Sequence, residues 1–178
     1  FRGGGVGLST VMGAVLAGAS RIVVIDRNPD KDAMCRSFGA TDVVITDDLT
    51  DAVSAIREAT DGRGVDHVFD AVGLASIESV LLDCLAPAGT AVLVGIPSNG
   101  TAFEVDAAEF IRREKVLTGS IFGSADTARD FVDYAQRYLD GRLPIDRLVT
   151  ERYRLDEINE ACDAMLSGGV GRGVIVFD

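Results

Sequence analysis

Several features are scarce in this chain, and each scarcity argues against a class of protein. There is no tryptophan and only one histidine among 178 residues. No apolar run approaches the roughly 20 residues that span a bilayer, and the first residues lack the charged and apolar regions of a signal peptide. We therefore expect no membrane partner and a cytoplasmic location.

Basic residues are also scarce. Lysine and arginine together number 17 against 28 acidic residues, which gives a formal net charge of -11. Such a charge disfavours binding to a nucleic acid backbone or an anionic membrane surface. Hydrophobic residues make up 47% of the chain, enough for one well-filled domain over residues 1–178. A small-molecule partner fits this composition better.

Candidate metal ligands and nucleophiles are few and dispersed. Cys35, Cys84 and Cys162 lie too far apart for a CxxC zinc motif, and each falls within a predicted amphipathic helix. We interpret them as reduced thiols that pack helices. His67 lies inside a predicted strand and is expected to be a packing or strand-edge residue. The sequence therefore predicts neither a catalytic group nor a metal site within these residues.

Short β-branched runs alternate with amphipathic segments along the first hundred residues. Strands are predicted over residues 22–25, 43–45, 65–72 and 90–94, and helices over 8–16, 29–38, from 49, and 77–85. Strands that are buried on both faces and separated by helices call for right-handed crossovers. This predicts an α/β fold with a doubly wound parallel sheet.

The pattern loosens after residue 97. Residues 103–105 and 116–122 are strand-like, with a short helix over 107–112 between them. Helices are predicted over 126–139 and 155–166, followed by a glycine-rich turn over 167–171 and a last strand over 174–177. We find no internal repeat and no linker.

A glycine-rich turn precedes the first helix. It consists of Gly3, Gly4, Gly5, Val6 and Gly7. Glycine suits a tight turn at which a diphosphate approaches the backbone, and a helix N-terminus offers unpaired N–H groups to an anion. A tight turn without a ligand is the alternative when this motif is considered alone.

An acidic residue ends the following strand. Asp26 comes about 20 residues after the glycine turn, the spacing at which a carboxylate accepts hydrogen bonds from an adenosine ribose. Its charge would repel a 2′-phosphate. The pair of features therefore predicts a dinucleotide site that prefers NAD to NADP.

These motifs, with several others, resemble the coenzyme-binding Rossmann domain of zinc-dependent, medium-chain alcohol dehydrogenases over essentially the whole chain. The matching stretches are Gly4 to Leu8, Val24 to Lys31, Phe38 to Thr41, Gly62 to Asp66, Val94 to Pro97, Leu117 to Gly123, and Ser167 to Arg172. Their order and spacing follow the family.

The resemblance implies a role for each matching position. The glycine turn and Arg172 would hold the pyrophosphate, and Asp26 and Lys31 the adenosine ribose. The remaining positions would border the coenzyme cleft or its nicotinamide side: Ala71, Val72, Val94, Gly95, Ile96 and Phe122. The cofactor would be NAD, and the substrates an alcohol and its aldehyde or ketone.

The chain departs from the family at its start. Arg2 stands where the family has the first glycine of its motif, and the first strand is missing apart from Phe1. The chain begins without Met, so we expect a catalytic domain upstream that holds the zinc. The fragment alone is then expected to bind coenzyme without oxidising alcohols.

Three alternatives remain at this point. The parent could be a thiol-dependent formaldehyde dehydrogenase that oxidises an S-hydroxymethyl adduct. A zinc-free quinone reductase is disfavoured by Asp26, because such enzymes usually prefer NADPH. The third alternative is a nucleotide-sensing module without enzymatic activity. The segment over residues 97–122 argues against it, because a minimal sensor would not need this segment.

An assembly is also implied. We expect a homodimer, or a tetramer built from dimers, formed through the coenzyme domains. The apolar stretches over residues 103–105 and 116–121 would pair at the edge of the sheet.

Overall fold

The computed structural model describes residue 1, residues 3–168 and residues 171–177. Helices and strands alternate through the first half, as the pattern predicts. In chain order they are α1 (Gly5–Leu16), β1 (Val23–Asp26), a 3-10 turn (Pro29–Lys31), α2 (Asp32–Ser37), β2 (Asp42–Ile45), α3 (Leu49–Ala59), β3 (Val65–Asp70), α4 (Ala75–Glu78), α5 (Leu81–Cys84) and β4 (Leu85–Leu93).

The second half is less regular. It contains α6 (Ala107–Arg112), β5 (Val116–Gly119), a 3-10 turn (Phe122–Ser124), α7 (Thr127–Leu139), a 3-10 turn (Ile145–Leu148), β6 (Val149–Tyr153), a 3-10 turn (Leu155–Glu157), α8 (Ile158–Leu166) and β7 (Arg172–Ile175).

The described residues form two compact units. Unit 1 comprises Phe1, Val23–Pro29 and Val43–Ala125. Unit 2 comprises Gly3–Ile22, Asp30–Asp42 and the described residues from 126 onward. Each unit has buried apolar residues of its own.

Unit 1 contains a parallel sheet in the order β3-β4-β5. At its carboxyl edge Asp70 lies opposite Leu93, and Leu93 lies opposite Gly119. The register shifts near the start of β4, between the pairs Val65–Leu85 and His67–Thr90. Residues 86–89 therefore form an irregular part of this strand.

The core of unit 1 lies between this sheet and the helices that cover it. Its buried members are Ile25, Ala52, Ile56, Val68, Leu81, Leu82, Cys84, Leu85 and Ala91. Burial raises the pKa of the Cys84 thiol to about 12, so Cys84 acts as a packing group, as predicted. Cys35 is likewise buried, whereas Cys162 is exposed on α8.

The helix predicted over residues 77–85 is divided in two. Val80 lies between α4 and α5 with φ near -104°, and its N–H donates to the Ile77 carbonyl in a tight three-residue turn. The prediction of helical structure in this segment was correct, but the prediction of one continuous helix was wrong.

Unit 2 contains the two-stranded parallel sheet of β6 and β7. The predictions did not include β6. The helix α1 packs against the 3-10 turn Ile145–Leu148, and the guanidinium of Arg147 lies 5.0 Å from the centre of the Phe38 ring. The Arg147 side chain also donates to the Ser37 carbonyl at the end of α2.

Two further predictions need correction. Residues 103–105 form no strand, because the chain runs there as irregular backbone before α6. The last strand begins at Arg172, two residues earlier than predicted.

Phe1 runs beside β3. Its N-terminal nitrogen donates to the Phe69 carbonyl at 2.8 Å, and its own carbonyl accepts from the Ala71 N–H at 3.3 Å. No helix among the described residues has the length and hydropathy needed to cross a bilayer.

Candidate functional site

The structure places the sequence-predicted site residues in two groups, one in each unit. In unit 2 are the glycine turn, Lys31 and Arg172; in unit 1 are Asp26 and the residues that follow β3, β4 and β5. Arg2, residues 169 and 170 of the predicted turn over 167–171, and Asp178 lie outside the described residues.

The glycine turn leads directly into α1. Gly4 is the N-cap residue in an extended conformation, and no side chain caps the helix. The first intrahelical bond runs from the Leu8 N–H to the Gly4 carbonyl at 2.8 Å. The N–H groups of the first turn therefore have no intrahelical acceptor, which is the arrangement that favours an anion.

Arg172 lies against this helix start. A Cβ atom on Gly5 would be 2.9 Å from Arg172 Nε and 3.2 Å from its Nη2, so the guanidinium lies close to the backbone at the start of α1. The Arg172 residue itself is exposed at the start of β7. Sequence spacing alone gives no reason for residues 5 and 172 to meet.

Lys31 ends the 3-10 turn that follows β1. It is buried, with 4% of its surface exposed. The helix predicted over residues 29–38 thus opens with a 3-10 turn, and α2 begins after it at Asp32.

Asp26 ends β1 and is largely buried, with 6% of its surface exposed. Its Oδ1 accepts from the Asn28 N–H at 2.9 Å, which fixes the carboxylate in a local turn. Asp26 thus ends a strand, as the sequence predicts, and its carboxylate is held in a local turn.

Two chain segments meet at the carboxyl edge of the β3-β4-β5 sheet. A Cβ on Gly73 would lie 2.8 Å from the Ile96 carbonyl carbon, and a Cβ on Gly95 would overlap the backbone of Val72 and Gly73. Gly73 also has φ near +79°. The Ala71–Val72 stretch and the Val94–Ile96 stretch are thus brought into direct backbone contact.

Asp70 joins these two segments, and the sequence-based predictions missed it. It is fully buried at the end of β3. Its Oδ1 accepts from the Val72 N–H at 2.8 Å, the same two-residue turn that Asp26 makes. The available signal was an aspartate inside the predicted strand over residues 65–72, shortly before Gly73.

Ile96 and Phe122 are exposed beyond the same sheet. Their exposed fractions are 77% and 90%, the latter in the 3-10 turn after β5. They are therefore available to contact another molecule.

His67 is exposed within β3, opposite Thr90 of the next strand, in line with its predicted strand-edge role. Within the described residues no group of three or more His, Cys, Asp or Glu side chains is arranged to hold a metal ion.

Comparison with known proteins defines the family. A family model described as zinc-binding dehydrogenase matches residues 5–137. The chain is 36% identical over 177 residues to a geraniol dehydrogenase of Castellaniella defragrans, covering 99% of this chain and 47% of that protein. It is 34% identical to a probable S-(hydroxymethyl)glutathione dehydrogenase 1 of Schizosaccharomyces pombe, covering 97% of this chain and 45% of that protein.

Solved structures give the same result. An alcohol dehydrogenase zinc-binding domain protein from Burkholderia ambifaria superposes with a TM-score of 0.93 at 34% identity, covering 100% of this chain and 47% of that chain. A zinc-binding dehydrogenase from Sinorhizobium meliloti, solved bound to NADP, has a TM-score of 0.81 at 26% identity, covering 98% of this chain and 50% of that chain.

The chain belongs to the zinc-binding dehydrogenase family, and its fold is the Rossmann-like coenzyme-binding fold predicted from the sequence. It spans about half the length of the curated relatives that it matches.

Proposed function

We propose that this chain is the NAD-binding part of a zinc-dependent dehydrogenase that transfers hydride between an alcohol and NAD. Family membership supports the reaction class. The observation that carries the coenzyme assignment is the placement of the Arg172 guanidinium at the start of α1, beside Gly5.

The pyrophosphate is proposed to bind at this helix start. The first-turn N–H groups and the positive end of the helix dipole attract an anion, and a planar guanidinium donates two parallel hydrogen bonds to phosphate oxygens. Gly3, Gly4, Val6 and Gly7 complete the turn from which these N–H groups point. The Arg172 guanidinium lies beside Gly5 of this turn.

The adenosine ribose is proposed to bind at Asp26, with Lys31 assisting. The carboxylate is already fixed by the Asn28 N–H, so it loses little freedom on binding a ribose diol. Its negative charge favours NAD over a coenzyme with a 2′-phosphate.

The nicotinamide side is proposed to be formed by Ala71, Val72, Val94, Gly95, Ile96 and Phe122. The first five belong to the two segments that follow β3 and β4, and in open α/β sheets ligands bind beyond the carboxyl ends of the strands. The nicotinamide would accept or supply the hydride when the coenzyme is bound.

Zinc is proposed to be held by residues outside this chain. The described residues offer no ligand cluster, so no step of the chemistry is assigned to a metal held here. The substrate is proposed to be a primary or secondary alcohol or its carbonyl product. An S-hydroxymethyl thiol adduct is the second candidate, favoured by the name of the Schizosaccharomyces pombe relative.

The assembly is proposed to be a homodimer, or a tetramer of dimers, formed through β5. This strand is an edge of its sheet, and Val116 and Ile121 expose 47% and 58% of their surfaces there. Residues 103–105 were also expected to pair at this edge, but they form no strand and are not part of the proposed interface.

The test is a fluorescence titration of the full-length gene product with NADH. Replacing Arg172 by Gln should weaken binding by about tenfold or more, because a charged hydrogen-bond donor to the pyrophosphate is lost. Arg152→Gln is the matched control, since Arg152 is an exposed arginine on the neighbouring strand β6. Equal affinities for both variants would contradict the proposed pyrophosphate site.

A further inference from the structure

Asp70 forms hydrogen bonds with both segments that are proposed to face the nicotinamide, the one after β3 and the one after β4. Each of its carboxylate oxygens accepts a backbone N–H from the turn after β3: Oδ1 from Val72 at 2.8 Å and Oδ2 from Gly73 at 3.0 Å. The side chain is fully buried, so water does not compete for these bonds. The carboxylate thereby fixes the path of the chain leaving β3.

The main chain of Asp70 holds the neighbouring segment. Its carbonyl oxygen accepts from the Val94 N–H at 2.9 Å and from the Gly95 N–H at 2.8 Å. These two residues follow β4 directly. One residue therefore receives four backbone hydrogen bonds, two from each segment.

Backbone contact couples the two segments further. The Gly73 and Gly95 positions are packed so closely that a Cβ at either would meet the other segment's backbone. A shift of the turn after β3 is consequently passed to the end of β4. Packed interiors transmit such shifts because they contain little free volume.

We propose that Asp70 is a positioning residue for the nicotinamide end of the coenzyme, an inference that rests on the proposed function. Its carboxylate sets the backbone of Val72 and Gly73, and through the glycine contact that of Gly95. The carboxylate accepts from Val72 and Gly73, and neither residue belongs to the proposed pyrophosphate site at α1 and Arg172. Replacing the Asp70 carboxylate should therefore weaken binding of the nicotinamide end of the dinucleotide and leave binding of the pyrophosphate unchanged.

The test compares two ligands on the full-length gene product. ADP-ribose contains the adenosine, pyrophosphate and second ribose of NADH but no nicotinamide. In Asp70→Asn an amide NH2 replaces one acceptor oxygen and faces a backbone N–H. We expect NADH affinity to fall by about tenfold, the equivalent of one buried hydrogen bond, while ADP-ribose affinity changes by less than about twofold.

The matched control is Asp48→Asn. Asp48 also accepts two backbone N–H groups, those of Thr50 and Asp51, at the N-terminus of α3. It should leave the ratio of the two affinities unchanged. An Asp70 variant that weakens both ligands equally, or neither, overturns the inference; a wild-type protein that binds neither ligand overturns the proposed function instead.

A measurement on the wild-type protein keeps the proposal testable should Asp70→Asn fold poorly. Hydrogen exchange of peptides covering residues 70–73 and 93–96 should slow more with NADH than with ADP-ribose at saturation. Equal protection by the two ligands would show that these segments do not respond to the nicotinamide, and the positioning role would be wrong.

Discussion

Glu78 and Asp70 are two buried carboxyl groups of unit 1, and the charge of Asp70 acts on Glu78. Glu78 ends α4 with 3% of its surface exposed. Burial raises the pKa of Glu78 above its usual range, and the neighbouring Asp70 charge raises this pKa further. The folded protein therefore binds a proton at Glu78 more tightly than the unfolded chain does.

The first prediction concerns pH. The pKa of Glu78 is higher in the folded protein than in the unfolded chain. Ionisation of Glu78 therefore destabilises the fold as the pH rises from the ordinary carboxyl range through the folded pKa. Glu78→Gln removes this contribution. Thermal unfolding between about pH 4 and pH 8 should show the variant gaining stability relative to the wild type as pH increases.

A glutamate on the surface of the same unit provides the comparison. Glu58→Gln, on the exposed side of α3, should show no such gain. Parallel pH profiles for wild type and Glu78→Gln would mean that Glu78 does not titrate with a raised pKa.

The second prediction concerns coenzyme choice. The full-length product should bind NADH far more tightly than NADPH, because the Asp26 carboxylate would face a 2′-phosphate. Asp26→Ser should reduce the preference by about 1–3 kcal/mol, the scale of one unfavourable charge contact removed. Fluorescence titrations with both coenzymes measure it.

Asp47→Ser removes an exposed carboxylate from the same unit and controls for net charge. It should keep the wild-type preference. Equal affinities for NADH and NADPH in the wild type would place Asp26 outside the ribose site.

The third prediction concerns assembly. Ile121→Lys puts a charge beyond the exposed edge strand β5 and should yield monomers by light scattering, since burying an unpaired ammonium at an interface is costly. Leu139→Lys makes the same change at an exposed position of α7 and should leave the mass unchanged. If Ile121→Lys keeps the wild-type mass, the prediction that subunits meet at β5 is wrong.

Local sequence signals predicted the parts of the fold that short-range physics decides. The glycine turn before α1, the strand that ends at Asp26 and the helix over residues 107–112 each depend on neighbours within a few residues. The strand β6 was missed because its sequence, Val149–Tyr153, is mostly polar, and its strand character comes from pairing with the distant β7.

Long-range contacts account for the missed features of the site. The meeting of Arg172 with Gly5 was implied only by family resemblance, since nothing local connects residues so far apart. The role of Asp70 depends on the N–H groups of Val94 and Gly95, which reach it through the β3–β4 register. The sequence pattern predicts the strands but not which backbone groups converge at their ends.

The last prediction uses two glycines of one loop to separate backbone strain from steric overlap. Gly62 and Gly64 both have positive φ, near +80° and +90°. A Cβ on Gly64 would lie 2.6 Å from the Leu85 carbonyl carbon, whereas a Cβ on Gly62 would meet no atom within 4 Å. Alanine at either position pays the left-handed backbone cost, but only Gly64→Ala must also displace the buried start of β4. We expect Gly64→Ala to be about 1–3 kcal/mol less stable than Gly62→Ala, seen as a melting temperature lower by about 2–4 °C per kcal/mol. Equal melting temperatures for the two variants would show that the loop moves away from β4 without cost, and the close packing of Gly64 on Leu85 would then contribute nothing to stability.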